Sequence, residues 1–226
     1  EQLDQNIASL RVALTPEQAA AVSRQEELRR RGVAKRGERA RGLFLTPDGL
    51  EQATRAAVAA WRADRFVAAG ARRVVDLGCG VGADALAFAD AGLAVVAVER
   101  DPATAVFAAA NLGDRGRVVA GDAVHLADEL LAPGDAVFLD PARRTARGRT
   151  WRTADVSPPW EWSTGLLEGR LGCLKAGTGI ARSELPDGVA TVWVSERGDL
   201  VEAGLWSGPA WQPGSRSAVL LPGGAG

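Results

Sequence analysis

The sequence predicts a doubly wound α/β domain, and three features predict it. Four short, nearly unbroken apolar runs, Arg73 to Leu77, Ala94 to Val98, Arg117 to Ala120 and Ala136 to Leu139, have the length and composition of strands buried on both faces. Between them lie Ala83 to Ala91, Pro102 to Leu112 and Val124 to Leu131, alanine-rich stretches long enough for crossover helices. The first run ends in a glycine-rich turn, where such folds pass from strand to helix. Strand, helix, strand repeated in this way gives a parallel sheet with right-handed crossovers.

Ahead of the sheet, Thr15-Pro16-Glu17-Gln18 offers a hydroxyl cap, Pro at the first helical position and Gln at the third. That grammar starts a helix running towards Arg31. It recurs at Thr46-Pro47-Asp48, and Leu50, Ala53, Ala57 and Trp61 follow at helical spacing, which predicts a second long helix to about Ala68. Arg30 to Gly42 is basic, carries Gly32, Gly37 and Gly42 and shows no period, so it reads as a loop or hinge. Beyond Pro141, Trp160 to Leu167 reads as a helix and Leu171 to Lys175 as a fifth strand. Ala190 to Ser195 and Leu200 to Trp206 flank Glu196-Arg197-Gly198-Asp199 as an antiparallel hairpin closing one edge of the sheet. The domain plan is a helical extension and basic hinge over 1–42, the α/β domain over 43–222 and a tail over 223–226. The chain opens at Glu1 in a helix-like pattern, holds no Met and stops in Pro222-Gly-Gly-Ala-Gly226, which predicts a piece of a longer protein.

Composition narrows the class. With 226 residues, 46% of them hydrophobic, the chain is neither disordered nor a small disulfide scaffold. A chain of this length buries roughly 70% of its unfolded surface without staples. Cys79 and Cys173 form no CxxC pair and no leader-like segment opens the chain, so a reducing cytoplasm is the expected home. The longest charge-free run, Ala203 to Ser215, is 13 residues with two prolines, too short for the roughly 18 a membrane helix needs. No membrane partner and no metal are expected, and the sequence is silent on oligomeric state. The net charge of -1 gives no global attraction to nucleic acid. Local basic patches remain at Arg24 to Arg41, eight basic against three acidic residues, and at Arg143 to Arg152, five against none.

The chemistry gathers at the predicted strand ends. In Asp76-Leu77-Gly78-Cys79-Gly80-Val81-Gly82 the glycines let backbone approach a ligand closely and leave a helix N-terminus free as a polar cradle. Gly78-x-Gly80-x-x-Ala83 also satisfies the dinucleotide fingerprint, which keeps a nicotinamide or flavin cofactor under consideration. Asp76 argues against it, because a carboxylate there suits the ammonium of an amino acid and repels a pyrophosphate. Glu99, with Arg100 beside it, ends the second strand, where a carboxylate accepts from both hydroxyls of a ribose; each such contact is worth roughly 1.5–3 kcal/mol. Asp122 and Ala123 end the third strand, an acid and a backbone N–H suited to an adenine edge. After the fourth comes Asp140-Pro141-Ala142-Arg143-Arg144, in which Pro fixes the backbone and holds the Asp at the cleft mouth, where a substrate atom is met.

Together these residues resemble the class I S-adenosylmethionine-dependent methyltransferases. Asp140-Pro-Ala-Arg-Arg144, with Leu50-Glu-Gln-Ala-Thr54 ahead of the first strand, is similar more narrowly to a bacterial group that carries a THUMP-like domain downstream. The resemblance covers about Leu43 to Leu221 and implies a Rossmann-like methyltransferase sheet. It implies that Asp76, Gly78, Gly80 and Gly82 hold the methionine moiety of S-adenosylmethionine, Glu99 the ribose, and Asp122 with Ala123 the adenine, with Arg100 among the cofactor-binding residues. It implies that Asp140, Pro141 and Arg143 stand at the catalytic position. Ala142 and Arg143 replace the second Pro and the aromatic residue of the amino-methyltransferase motif, a departure that weakens the case for methylation of a base nitrogen. Methyl transfer asks little beyond holding donor and acceptor at near-attack distance.

Each sharp reading has a plain alternative. Arg143 and Arg144, with Arg147, Arg149 and Arg152, bind RNA phosphate or form a solvated loop. The Arg24 to Arg41 cluster reads as a solvated helix face and hinge. Ser157-Pro158-Pro159-Trp160 has the letters of the amino-methyltransferase motif without a preceding strand, and a Ser cap with Pro in the first helical turn explains it; Trp160 stacks on a base only if its helix lines the cleft. His125 reads as a helix-start residue beside the pocket, Cys79 as a small filler, and Cys173 lacks the surroundings of a nucleophile. The favoured function is methyl transfer to an acceptor, RNA ahead of a small molecule. The alternatives are a non-catalytic module that binds the cofactor or RNA, and a nicotinamide-type oxidoreductase.

Overall fold

The computed structural model describes residues 14–143 and 153–222. Helix α1 (Pro16–Arg36) opens with the expected capping box, Thr15 and Gln18 bonding each other's backbone. A 3-10 turn (Gly37–Gly42) leads to α2 (Pro47–Gln52) and α3 (Ala56–Ala68). The alternating core follows: β1 (Arg73–Leu77), α4 (Ala83–Asp90), β2 (Ala94–Glu99), α5 (Pro102–Leu112), β3 (Arg117–Ala120), α6 (Ala123–Leu130) and β4 (Ala136–Leu139). Two short strands, β5 (Ala142–Arg143) and β6 (Val156–Ser157), pair with each other. Helix α7 (Trp160–Gly165), β7 (Gly172–Ala176), β8 (Ala190–Glu196), β9 (Asp199–Ser207) and β10 (Arg216–Leu221) complete the order.

The main sheet has eight strands in the order β10-β8-β9-β7-β4-β1-β2-β3. The strands β3, β2, β1, β4 and β7 are mutually parallel, and β9 runs antiparallel to both of its neighbours. This is a mixed α/β sheet of Rossmann type. The order reverses beside β1, and such a switch point opens a crevice at the carboxyl edge. Val74, Phe138, Cys173 and Trp206 pack on one face of the sheet, Val75, Leu77, Leu139 and Leu174 on the other. Phe66 of α3 and Phe88 of α4 meet edge to face at 5.4 Å, and Phe88 meets Phe138 of β4 at the same distance.

Four expectations need correction. The Arg30 to Gly42 stretch is no loop, since α1 runs through to Arg36 and the 3-10 turn follows. Gly32 is tolerated inside the helix because its bare Cα lets Ala40, Leu45 and Leu50 pack close, and Leu28 belongs to the main core cluster. The single helix from Pro47 to Ala68 is two, broken at Ala53 to Arg55, where Thr54 turns inward to bond the α4 side chain Asp84. Ser157 does not cap α7; it pairs with Ala142 in the β5–β6 ribbon, and Pro159 occupies the cap position. The β8–β9 hairpin forms, yet the sheet edge is β10, which runs parallel to β8.

Candidate active site

Strand register assembles the site. Leu77 of β1 is level with Val98 of β2 and with Leu139 of β4, and Leu139 is level with Leu174 of β7. One residue further on, Gly78, Glu99, Asp140 and Lys175 therefore stand side by side along the carboxyl edge. Gly121 joins this row through its N–H, which donates to the Glu99 carbonyl at 2.9 Å.

On the Gly78 side of Asp140 the pieces are those the sequence named. Gly78, Gly80 and Gly82 all have positive φ, at 103°, 56° and 85°. A side chain at Gly80 would meet nothing within 4 Å, so there is open space over the turn. The Gly78 and Cys79 N–H groups both donate to the Val98 carbonyl, which pins the turn to β2. The Glu99 carboxylate accepts from Gly80 N–H at 2.9 Å through one oxygen and from Asp101 N–H at 2.8 Å through the other. Each oxygen keeps a lone pair for a further donor. Asp122 caps α6, accepting from Val124 N–H at 2.8 Å with one oxygen only, and Ala123 is the first residue of that helix. Arg100 is exposed at the bend after β2.

Asp76 is fully buried, and both of its carboxylate oxygens lack a hydrogen-bond partner. Burial pushes its pKa well up, and the neighbouring Asp84 and Asp140 push it further. Such an orphaned acid is costly unless a cation completes it.

On the other side of Asp140 stands a network the sequence reading did not find. Lys175 Nζ donates to Asp140 Oδ2 at 2.6 Å and to the Thr54 hydroxyl at 3.2 Å. The Thr54 hydroxyl donates to Asp84 Oδ2 at 2.6 Å. Arg62, completely buried, pairs with both Asp84 and Glu202 and lies over the Phe138 ring at 4.6 Å. Arg36 closes the outside by donating to the Thr54 and Ala83 carbonyls at 2.9 and 3.2 Å. The Asp140 side chain keeps 30% of its surface exposed. Burial raises its pKa and the Lys175 ammonium pulls it back down. The reverse pull, from Asp140 on Lys175, leaves that lysine above its ordinary value. One sequence signal pointed here: Lys35 and Lys175 are the only lysines among 27 basic residues. Arg62, Asp84 and Glu202 give no local signal, since long-range packing alone unites them.

Pro141 is buried behind Asp140, and the Arg143 backbone lies in β5. The Arg143 side chain and Arg144 lie outside the described residues. Trp160 is half-buried against the apolar cluster of Leu139 and Leu174, on the opposite sheet face from Lys175. Cys79 and Cys173 are buried free thiols whose pKa values burial pushes up, which suits packing and not nucleophilic attack. In the Arg24 to Arg41 cluster, Arg29, Arg30, Arg39 and Arg41 are ion-paired to acids. Among the described residues no group of three His, Cys, Asp or Glu is placed to hold a metal, and no helix is long and apolar enough to cross a membrane.

No protein-family model and no curated protein sequence matches the chain. Solved structures do. A candidate methyltransferase from Porphyromonas gingivalis W83 is similar over 88% of this chain and 52% of its own, with 26% identity and a TM-score of 0.69. This chain thus spans about half the length of that protein. A candidate RNA methyltransferase from Pyrococcus horikoshii is similar over 80% of this chain and 96% of its own, at 16% identity and a TM-score of 0.47. An O-methyltransferase from Bacillus cereus, solved with SAH, is similar over 77% and 72%, at 19% and 0.41. The likeness to the Porphyromonas protein carries the point. The fold is the Rossmann-like fold of the methyltransferases.

Proposed function

We propose that this chain is the catalytic domain of an S-adenosylmethionine-dependent methyltransferase, acting on RNA. The observation that carries the reading is the row of Gly78, Glu99 and Asp140 at one carboxyl edge, with the orphaned Asp76 carboxyl beneath it. The cofactor fits these residues on three counts. The Gly78 to Gly82 turn and Asp76 take the amino-acid end, Glu99 accepts from ribose hydroxyls, and Asp122 with the Ala123 N–H meets adenine. When bound, the cofactor supplies an electrophilic methyl group. The chain's own residues do the rest: Asp140 orients the acceptor and takes its proton, held in place by Pro141 behind it and Lys175 beside it. The rate gain comes from positioning and from the charge arrangement around the acceptor.

The RNA part rests on the five arginines between Arg143 and Arg152, unmatched by any acid and placed in sequence directly after Asp140. Residues 43–222 form the methyltransferase domain in this reading and 1–42 its helical extension. The resemblance to the group with a THUMP-like RNA-binding module downstream agrees with it, as does a cytoplasmic home for two unpaired buried thiols.

The test is transfer of tritiated methyl from S-adenosylmethionine to total RNA, with NADH binding measured in parallel. Label in the RNA that Asp140→Asn abolishes supports the reading. Binding of NADH and not of S-adenosylmethionine overturns it in favour of an oxidoreductase. Cofactor binding with equal label for the wild type and Asp140→Asn removes Asp140 from the mechanism.

A further inference from the structure

A cleft of about 310 Å3 is lined by Lys35, Thr54, Arg55, Lys175, Val201 and Glu202, with the end of α2 as its rim. Lys175 lines this cleft and bonds Asp140, so its ammonium connects the cleft to that carboxylate, which is not itself a lining residue. Because β4 lies between β1 and β7, the cleft is on the opposite side of Asp140 from the glycine turn. An acceptor reaching from it past Lys175 would come to Asp140 from the side opposite a methyl donor over the turn.

Both lysines of the chain line this one cleft. Each is held by oxygens: Lys35 Nζ by the Leu50 carbonyl at 3.0 Å and the Glu51 carbonyl, Lys175 Nζ by Asp140 and Thr54. A lysine presents a compact point charge with three rotatable donors, whereas arginine presents a broad planar fork. Lys35 thus closes the end of α2, and both lysines bring a compact ammonium to the cleft.

The charge at the cleft discriminates between acceptors. An amine gains positive charge on nitrogen as it attacks a methyl group, and ammonium groups beside it raise that barrier. A hydroxyl loses its proton as it attacks, its oxygen gains negative charge, and the same ammonium groups lower the barrier. We propose that this cleft is the acceptor site and that the acceptor atom is an aliphatic hydroxyl oxygen, in RNA the ribose 2′-hydroxyl. The proposal rests on the methyl-transfer reading and adds the acceptor class.

The atoms balance. The oxygen–methyl bond forms as the sulfur–methyl bond breaks, with the electron pair left on sulfur. The hydroxyl proton passes to the Asp140 carboxylate and from its exposed part to water. Lys175 and Lys35 stabilise the oxygen while its charge develops. Lys175 is faced by Asp140, Glu202, Asp84 and Arg62, and Lys35 by Lys175, Arg55, Glu51 and Arg36, whose combined influence with burial holds Lys35 below its ordinary value.

The experiment uses the whole chain with methyl-tritiated S-adenosylmethionine and total RNA, digested to nucleosides. The expected result is label in 2′-O-methyl nucleosides, reduced about 100-fold in Lys175→Met, the low end of what general acid–base and electrostatic groups contribute, and less, about tenfold, in the more distant Lys35→Met. Label on a base nitrogen or carbon, or wild-type rates in both variants, overturns the proposal. Because Lys175 is half-buried in an ion-pair network and its variant is at risk of misfolding, a second readout needs no activity. Lysine labelled with 13C at Cε gives just two signals, and Asp140→Asn should move the titration of one of them down and leave the other in place. Two lysines that titrate alike, unmoved by Asp140→Asn, overturn the charge cluster whatever the activity. Failure to label any RNA while S-adenosylmethionine binds strikes the RNA reading instead, and the lysine signals then decide the cleft alone.

Discussion

The two sides of the β4 tip are built on opposite principles. On the β1 and β2 side, the glycine turn, Glu99 and Asp122 are held mainly by backbone: strand register, N–H groups donating into carboxylates and a helix cap. On the β7 and β9 side, Asp140, Lys175, Thr54, Asp84, Arg62 and Glu202 are held by side chain to side chain bonds reaching from β7, α4, α3, β9, the end of β4 and the break after α2. A backbone-built site serves a ligand common to many proteins, since register alone positions it. A side-chain-built site is adjustable residue by residue, which suits the partner that varies. In the proposed function, the constant chemistry belongs at the turn and the specific chemistry in the cleft.

The largest way to break this comparison is to remove the centre of the side-chain half. Arg62→Met leaves Asp84 and Glu202 buried and uncompensated, and should cost about 3–5 kcal/mol of stability. A shift in the urea midpoint measures it; a change below 1 kcal/mol would mean the network is not what holds α3 to the sheet. Next in size, Asp140→Asn should lower methyl transfer by about 100-fold or more while the unfolding midpoint changes little, a difference that single-turnover rates and a urea curve read together.

Asp76 sharpens the comparison through pH. Its folded pKa lies above the ordinary 3.8, so the native state keeps a proton the unfolded chain releases, and stability from this group falls as pH rises above about 4. Asp76→Asn removes that dependence. Its stability gain over the wild type should be absent below pH ~4 and grow as pH rises through the folded value, until the wild-type carboxyl is ionised. Equal stability of the two proteins at every pH would show that Asp76 is not the orphan acid described. The smallest effect lies outside both halves: Thr15→Ala breaks the capping box of α1 and should cost about 1 kcal/mol, seen as a small downward shift in thermal midpoint without loss of cofactor affinity.

Legibility in the sequence followed the same divide. Apolar runs and the alanine-rich stretches between them predict β1 to β4 with their helices, and the strand ends predict Gly78, Glu99, Asp122 and Asp140, because short-range pattern and register produce both. The β8–β9 hairpin was legible from its Glu-Arg-Gly-Asp turn, whereas β10 has an apolar run of only four residues, Ala218 to Leu221, directly before Pro222, too short to separate from a tail. The break at Ala53 to Arg55 was hidden because helical spacing continues through it, and only the Thr54 bond to Asp84, 30 residues away in sequence, ends α2 there. Lys175, Glu202 and Arg62 were invisible for the same reason, since a single buried charge inside a strand or helix pattern has no local partner to identify it.

In the proposed function, cofactor binding belongs to the backbone-built side and chemistry to the other. Calorimetric titration of S-adenosylmethionine into wild type, Glu99→Ala and Asp140→Asn tests that division most directly. The predicted result is an affinity about tenfold weaker in Glu99→Ala, a loss of about 1.4 kcal/mol, and an affinity in Asp140→Asn within about twofold of the wild type. Undiminished binding in Glu99→Ala, or a loss in Asp140→Asn as large as that in Glu99→Ala, would contradict it.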